Sequence, residues 1–316
     1  MKSVRLDFHE VTNPYCHKKC NRENRQDMTD DGLCLETSSM LDNLPVRCVG
    51  EWAIQKIFHL VQYFGIFSTG MKNKWEGNIN YVEICSGPGR CINRTSGIEF
   101  NGTAICIIEH EAFKYLNHAI FIDYNTKVID ALNRRIIGRN VTNAVAINGN
   151  YYEPDNICRE ILGITKGQGL NLVFIDPTDC SVPFELISAL KKTLQHVDFI
   201  INIAIGTDFT RNIRNAILSP VSYKAVKDKY AQFLGSDSYY DNSSVIEAAK
   251  NGNHVELRKH FREAYVNSLT SIGYEFFEFE SIENYYDLIF ASSHSKGIEF
   301  WNKANGIKYD GQRTLF

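Results

Sequence analysis

The sequence predicts an α/β fold in which a doubly wound sheet of parallel strands ends in an antiparallel hairpin, with seven strands in all. Short apolar runs alternate with segments of helical spacing, and most runs are apolar throughout rather than at every second position. Such strands between helices are typical of a parallel sheet that is covered on both faces. The last two runs are separated by a few polar residues only, which favours a hairpin over a crossover.

The elements follow from this pattern in order. Apolar residues recur at three- and four-residue spacing from Ala53 to Met71, which predicts an amphipathic helix. We expect strands at 79–85, 119–123, 144–147, 170–176, 199–205, 274–279 and 286–292. Helices are expected between them at 126–137, 155–162 and 183–195. The interval 92–117 is long for a simple connection and indicates an excursion, with a cap over a ligand as one interpretation.

Two further segments complete the predicted organisation. Residues 1–47 are polar and turn-rich, which indicates a cysteine-containing N-terminal arm. Residues 48–316 are expected to form the α/β domain, with a helical insertion at about 206–272.

The composition excludes several classes of protein. The chain has 316 residues, and 34 Lys+Arg against 37 Asp+Glu leave a net charge of −3. Bulk positive charge for coating nucleic acid is absent. This net charge is still compatible with a local basic groove. No apolar run approaches the roughly 18 residues of a membrane span, and the N-terminus is too polar for a signal peptide. Nine irregularly spaced cysteines are typical of reduced thiols in a cytoplasm.

Four cysteines near the N-terminus are candidates for a structural Zn²⁺ site. Cys16, Cys20, Cys34 and Cys48 could supply four thiolates. A metal would explain how an arm with few apolar residues becomes ordered. The spacing differs from the paired CxxC pattern of most zinc sites, so ordinary free thiols are the alternative.

Ligands of open α/β sheets bind beyond the carboxyl ends of the strands. The first sheet strand runs into residues 83–90, which read Glu-Ile-Cys-Ser-Gly-Pro-Gly-Arg, and the two glycines allow a tight turn close to a ligand. The candidate cofactor-binding residues at this and the next two strand ends are Glu83, Cys85, Gly87, Pro88, Gly89, Asp123, Asn148 and Asn150.

Charge indicates which cofactor these strand ends would take. The loop lacks the Gly-Lys-Ser/Thr of a P-loop, and a triphosphate beside Glu83, Asp123 and Asp176 would be repelled by about 4 kcal/mol per close pair. S-adenosylmethionine carries a sulfonium, a ribose and an adenine but no phosphate, and therefore fits. We expect Asp123 to bind the ribose hydroxyls. An NAD-linked dehydrogenase would place a pyrophosphate beside Glu83 and ranks low.

Asp176 and Pro177 end the fourth strand and are the candidate catalytic residues, which would orient the methyl-accepting atom. Methyltransferases that act on base amino groups usually carry Asp/Asn-Pro-Pro-aromatic here. Thr178 and Asp179 depart from that motif. Cys180 could be a nucleophile, but a buried, unactivated thiol is the favoured interpretation.

Several segments in order resemble one family. They are 46–56, 81–90, 174–178, 198–203 and 206–212, within a match from about 30 to 292. Together they resemble the three-Cys-motif partner protein family. The resemblance implies a class I methyltransferase-like Rossmann fold and a radical-SAM-like companion protein with three cysteines, in a mobile-element or phage-associated setting. It also implies substrate or partner contacts by Lys56, Asn202, Arg211 and Asn212.

Two functional hypotheses follow. The first is a methyltransferase that uses S-adenosylmethionine and acts on nucleic acid or on a substrate of its partner. The alternative is a non-catalytic S-adenosylmethionine-binding partner or sensor subunit of the companion protein. Glu83 and Cys85 stand where the family has another acid and an aromatic, and Gly102-Thr103-Ala104 replaces its Gly-Ser-Pro. The sequence does not indicate an oligomeric state.

Overall fold

The computed structural model describes residues 8–16 and 32–306. The chain divides into two compact units, of which unit 1 comprises residues 1–149 and 299–316 and unit 2 comprises residues 150–298. This division differs from the predicted arm and single domain. Residue 47, the predicted boundary, lies inside a strand of unit 1.

In the described part of unit 1 the strands are β1 (Val11–Thr12), β2 (Leu33–Ser38), β3 (Pro45–Val49), β4 (Ile79–Ile84), β5 (Arg90–Asn93), β6 (Ile98–Asn101), β7 (His118–Asp123) and β8 (Ala144–Asn148). The helices are α1 (Trp52–Met71), α2 (Thr103–Glu109) and α3 (Thr126–Ile137), with a 3-10 turn at Glu111–Tyr115.

Unit 2 contains α4 (Pro154–Thr165), β9 (Leu170–Ile175), α5 (Phe184–Thr193), β10 (His196–Ile203) and a π-helical turn at Ile205–Phe209. The helices α6 (Thr210–Leu218), α7 (Lys224–Leu234), α8 (Ser238–Asp241), α9 (Ser243–Lys250) and α10 (His254–Ser271) occupy the segment predicted to be helical. The strands β11 (Phe276–Ile282) and β12 (Tyr286–Ser292) follow, and α11 (Ser295–Asn305) begins in unit 2 and ends in unit 1.

The predicted seven-stranded mixed sheet is confirmed, with the strand order β11-β12-β10-β9-β4-β7-β8. Numbered along the chain, these seven strands lie in the order 6-7-5-4-1-2-3, which is a doubly wound order with one antiparallel strand inserted. Strand β4 pairs with β7, β7 with β8 and β9 with β10 in parallel. Strand β12 is antiparallel to both β10 and β11.

The inner strands β4, β7, β9 and β12 form where the sequence predicts them because their apolar runs are buried on both faces. Every residue of β4 and of β12 is buried, as expected for central strands. The largest differences are in the bounds, since β10 begins at His196 rather than Phe199 and β11 extends to Ile282. The hairpin turns through Glu283 and Asn284, whose φ angles of 47° and 60° match a type I′ turn.

A second sheet of five strands, in the order β1-β6-β5-β3-β2, lies in unit 1 and was not predicted. Its strands are short, and two of their buried positions carry the charged side chains of Arg90 and Glu99, which interrupt the apolar pattern of a strand. Strands β5 and β6, helix α2 and the 3-10 turn fill the predicted excursion. The excursion is therefore part of a sheet.

A buried carboxylate organises this second sheet. Glu99 is 0% exposed and accepts hydrogen bonds from Asn13 Nδ2 (2.6 Å), Ser39 Oγ (2.8 Å), Met40 N (2.7 Å) and Arg90 Nε (3.4 Å). Because a buried charge is tolerated only with such partners, the network joins β6 to β5 and to the segments around β1 and β2.

Arg135 on α3 joins three further segments of unit 1. It donates to both carboxylate oxygens of Asp42 (2.8 and 2.9 Å), to the Pro45 carbonyl (2.9 Å) and to the Pro88 carbonyl (2.5 Å). The Arg135 side chain is 2% exposed, so a guanidinium is buried here with four hydrogen bonds to acceptors. Helix α3 is thereby bound to the start of β3 and to the loop after β4, residues 85–89, which we call the glycine loop.

Replacing Arg135 tests this role. Arg135→Ala should lower the free energy of unfolding by about 3–5 kcal/mol, because it leaves buried acceptors without their donor. Denaturant unfolding measures the change. The neighbouring exposed Arg134 is the control, and Arg134→Ala should change the stability by less than about 0.5 kcal/mol. Equal effects of the two substitutions would contradict the assignment.

In unit 2, the half-buried carboxyl group of Asp198 lies near the start of β10, away from the strand's carboxyl end. Burial raises the pKa of Asp198 from 3.8 to about 6, against the lowering effect of Ser292 and Lys191. The Lys191 ammonium lies 4.7 Å from the centroid of the Tyr274 ring. The Tyr274 hydroxyl donates to the Val197 carbonyl at 2.9 Å.

This carboxyl group predicts a pH dependence of stability. Between pH 3.8 and about 6 the folded state holds a proton that the unfolded chain has lost, so stability falls as the pH rises through this window and is level above it. Asp198→Asn should remove this slope and raise the free energy of unfolding at neutral pH by about 1–3 kcal/mol. Denaturant unfolding at several pH values measures both effects. An unchanged slope in the variant would refute the interpretation.

Candidate functional site

The loop after β4 adopts the tight turn that its glycines predict. Gly87 and Gly89 have φ angles of 66° and 88°, and Cys85 has a φ of 65°. A non-glycine residue in this left-handed region costs about 1–3 kcal/mol and is concentrated at ligand sites. The loop therefore contains local backbone strain at one of the predicted cofactor residues.

Each glycine is required by its surroundings. A Cβ atom on Gly87 would lie 3.1 Å from Cζ of Arg47, so the absence of a side chain admits a guanidinium. A Cβ atom on Gly89 would lie 2.9 Å from side-chain atoms of Ile105 and of Leu132, so this glycine permits packing against α2 and α3.

Asp123, at the end of β7, is hydrogen-bonded to the same loop. Its Oδ2 accepts a hydrogen bond from the backbone N–H of Gly87 at 3.1 Å, and its Oδ1 accepts one from the backbone N–H of Asn125 at 3.2 Å. Asp123 is 3% exposed. A carboxylate has about four acceptor positions, so these bonds leave capacity for a ligand hydroxyl.

Arg47 is a residue of this site that sequence reasoning missed. Its guanidinium extends from β3 and donates to Asp123 Oδ2 at 3.5 Å and to the Cys85 carbonyl at 3.4 Å. The acid at Asp123 therefore has a cation beside it that the sequence does not reveal, and this cation offsets part of the negative charge there. Nothing in the sequence links the two residues, which are 76 positions apart on different sheets.

Ser86 lies between Cys85 and Gly87 and is 7% exposed. Its hydroxyl oxygen is buried and has no hydrogen-bond partner among the described residues. Buried polar groups are almost always bonded. Together with the glycine turn and Asp123, this hydroxyl makes the loop fit a polar ligand such as S-adenosylmethionine.

The other predicted cofactor residues occupy different positions. Glu83 lies inside β4, is 1% exposed and accepts a hydrogen bond from the Tyr81 hydroxyl at 2.9 Å. The Asn148 amide donates to the carbonyls of Asp123 (3.1 Å) and Tyr124 (2.7 Å), so it holds the segment after β7. Pro88 is held by Arg135, as described above. Asn150 belongs to unit 2, where its Oδ1 accepts from the Tyr152 amide.

In unit 2, Asn202 binds the two candidate catalytic residues. Its Nδ2 donates to Asp176 Oδ1 at 2.9 Å and to the Pro177 carbonyl at 3.2 Å. Both partners can only accept, which fixes the orientation of the amide. The Asn202 Oδ1 is consequently the atom that is buried without a partner in the described structure. A buried acceptor therefore lies beside Asp176 and Pro177.

Asp208, in the π-helical turn after β10, was also missed. It is 6% exposed and accepts from Lys229 Nζ (2.6 Å), Tyr230 Oη (3.1 Å), the Cys180 amide (3.0 Å) and Asn212 Nδ2 (3.0 Å). Turns of this type are frequent at functional sites. Asn212, which was expected to contact a substrate or partner, donates to Asp208 through its side-chain amide.

Lys229 connects this cluster to the segment after β9. Its ammonium lies 3.2 Å from Asp179 and 2.6 Å from Asp208. Burial lowers the pKa of Lys229, but hydrogen bonds and charge from the two carboxylates outweigh burial and raise that pKa overall. The positive charge is thus held between two acids.

Three more side chains bear on the predictions. Burial, with the nearby Asp208 carboxylate, raises the pKa of the Cys180 thiol well above its usual range. This favours the buried-thiol interpretation over a nucleophile. Arg211 is exposed on α6, and Lys56 is half-buried on α1.

Cys16, Cys34 and Cys48 lie in one apolar cluster with Val46 and Ile92. The fourth predicted ligand, Cys20, lies outside the described residues. Within 8–16 and 32–306, no group of three or more His, Cys, Asp or Glu side chains is arranged to hold a metal ion. The zinc site therefore stays a prediction.

Elemental analysis tests the zinc prediction directly. A four-thiolate site should give about one zinc per chain in the purified protein, and Cys16→Ser should lower that content. A folded protein without zinc would show instead that these thiols pack as apolar groups.

No protein-family model and no curated protein matches the chain. Among solved structures, the methyltransferase domain of a bacterial CtHen1 is 10% identical, with 74% of this chain and 99% of that chain covered and a TM-score of 0.38. TrmK of M. capricolum with S-adenosyl-homocysteine is 13% identical (72% and 68% covered, TM-score 0.32). Human N-acetylserotonin methyltransferase with S-adenosylmethionine is 11% identical (76% and 53% covered, TM-score 0.34).

The fold is an α/β fold with a seven-stranded mixed sheet and a C-terminal antiparallel hairpin. The strand order described above carries this assignment. In the described residues, no helix is long and apolar enough to cross a membrane.

Proposed function

We propose that the chain is a methyltransferase that uses S-adenosylmethionine. The observation that carries the proposal is the loop after β4. A glycine turn, a strand-end carboxylate and a buried hydroxyl that has no partner among the described residues meet there. This combination offers close backbone approach and hydrogen-bonding groups to one polar ligand. It also lies where doubly wound sheets bind their cofactors.

Bound S-adenosylmethionine would supply a methyl group on a positively charged sulfur. The turn at Gly87 and Gly89 would hold its methionine end, and Asp123 would accept hydrogen bonds from its ribose hydroxyls. Asn148 and Asn150 are the proposed contacts of the adenine edge.

On the substrate side, Asp176 would orient the methyl-accepting atom and Asn202 would hold the Asp176 carboxylate in place. Methyl transfer needs in-line positioning of the accepting atom more than a strong base. The proposal therefore assigns a positioning task to these residues.

The proposed acceptor is a nucleic acid or a substrate of a partner protein. A radical-SAM-like protein with three cysteines is the proposed partner, and both assignments rest on the family resemblance alone. The net charge of −3 requires that any nucleic acid be bound by a local group of cations rather than by the whole surface.

Calorimetry with S-adenosylmethionine tests the proposed function. The unchanged protein should bind the cofactor, and Gly87→Val and Asp123→Ala should each weaken binding by about tenfold or more. The first adds a side chain against Arg47, and the second removes the ribose acceptor. Asp130→Ala, at an exposed position of α3, is the control and should bind normally.

Circular dichroism would establish that each variant is folded. Absence of binding by the unchanged protein would end the proposal, as would full binding by both site variants.

A second candidate function is the non-catalytic partner or sensor subunit. It is favoured by the bonds within unit 2, since Asn202 already binds Asp176 and Pro177 and Lys229 binds Asp179. Labelled S-adenosylmethionine separates the two functions. Methyl transfer to RNA, DNA or a co-purified protein supports the enzyme, whereas cofactor binding without product, together with co-purification of a three-cysteine protein, supports the subunit.

A further inference from the structure

We propose that Arg47 and Ser86 bind the carboxylate of the cofactor's amino-acid end. This inference rests on the proposed function, because it concerns the same ligand. It adds two residues of this chain that determine which ligand the glycine loop accepts.

The position of Arg47 is the first support. Its guanidinium lies over Gly87, where an added Cβ would be 3.1 Å from Cζ and 3.3 Å from both Nε and Nη1. It also reaches the Cys85 carbonyl. The guanidinium therefore lies along residues 85–87, the stretch proposed to hold the methionine end, where the cofactor carries a carboxylate.

The bonds of Arg47 at the loop are long. Its distances to the Cys85 carbonyl and to Asp123 Oδ2 are 3.4 and 3.5 Å, whereas a strong charge-assisted bond is about 2.7–2.9 Å. A ligand carboxylate can meet the planar guanidinium with two oxygens at once. It would thus form a stronger pair with Arg47 than Asp123 does at 3.5 Å.

Ser86 supplies a second and independent support. Ser86 lies in the same loop, between Cys85, whose carbonyl Arg47 reaches, and Gly87, over which the guanidinium lies. Its hydroxyl is buried without a partner in the described structure. A hydroxyl hydrogen can rotate toward an acceptor. A carboxylate bound at Arg47 would give this hydroxyl the acceptor that it lacks.

Pairing with a ligand carboxylate would also free Asp123. When Arg47 turns to the ligand, the Asp123 oxygen that it contacts becomes available to a ribose hydroxyl. The opposite role is that Arg47 shields Asp123 and must leave before any cofactor binds. The two roles predict opposite changes in affinity when Arg47 is removed.

The test compares S-adenosylmethionine with its decarboxylated form, which differs only in lacking the carboxylate. Calorimetry should show that Arg47→Gln weakens binding of S-adenosylmethionine by about tenfold or more and changes binding of the decarboxylated ligand by less than about twofold. Ser86→Ala should show the same selectivity with a smaller loss. Arg47→Lys should recover part of the affinity, because it restores the charge without the two-pronged geometry.

Arg134→Gln, at an exposed position of α3, is the matched control and should leave both affinities unchanged. Thermal unfolding without ligand should be similar for all variants. Unchanged or tighter binding of S-adenosylmethionine by Arg47→Gln would overturn the proposal in favour of shielding. Equal losses of affinity for both ligands would also overturn the proposal, because they would show that Arg47→Gln perturbs the site as a whole. Failure of the unchanged protein to bind either ligand would instead refute the proposed function, and this inference with it.

Discussion

The buried guanidinium of Arg135 is the interaction on which the architecture of the glycine loop depends. It binds the Pro88 carbonyl inside the loop and the Pro45 carbonyl at the start of β3. Arg47 lies two residues after Pro45 on the same strand. One cation of α3 therefore fixes the distance between the loop and the strand that carries a second cation. Removing a charge from such a set leaves its acceptors buried and unsatisfied, which proteins rarely tolerate.

Much of the large sheet could be predicted because its signal is local. Strands such as β4 and β12 are buried at every position, and a continuous apolar run records that burial in the sequence itself. The five-stranded sheet has no such signal. Strand β1 has two residues, and β5 and β6 bury Arg90 and Glu99. A charged residue in a sequence indicates exposure unless its partners are known, and three partners of Glu99 lie at least 59 positions away in the chain.

The candidate site also contains some residues that have a local signal in the sequence and others that have none. The glycine turn and Asp123 could be recognised because each directly follows an apolar strand. Arg47 and the pair of Asp208 with Lys229 could not, because their roles arise only when separate elements meet. The acids at the strand ends are visible in the sequence, but the cation that folding brings to Asp123 is not. Asn202 was named from the resemblance, but its bonds to Asp176 and Pro177 required the structure.

Arg47 is followed on β3 by Cys48, which lies in the apolar cluster with Cys16. The residue that contacts the glycine loop and one of the clustered thiols are thus adjacent along one strand. If Arg47 contacts the ligand, any event at the thiols that shifts β3 changes ligand affinity. Thermodynamic linkage then requires that the ligand alter the energetics of that event by the same factor. Oxidation or metal loading of the cysteines would in that case be reciprocally coupled to ligand binding at the loop. The two residues that link these events, Arg47 and Cys48, are neighbours on one strand of unit 1.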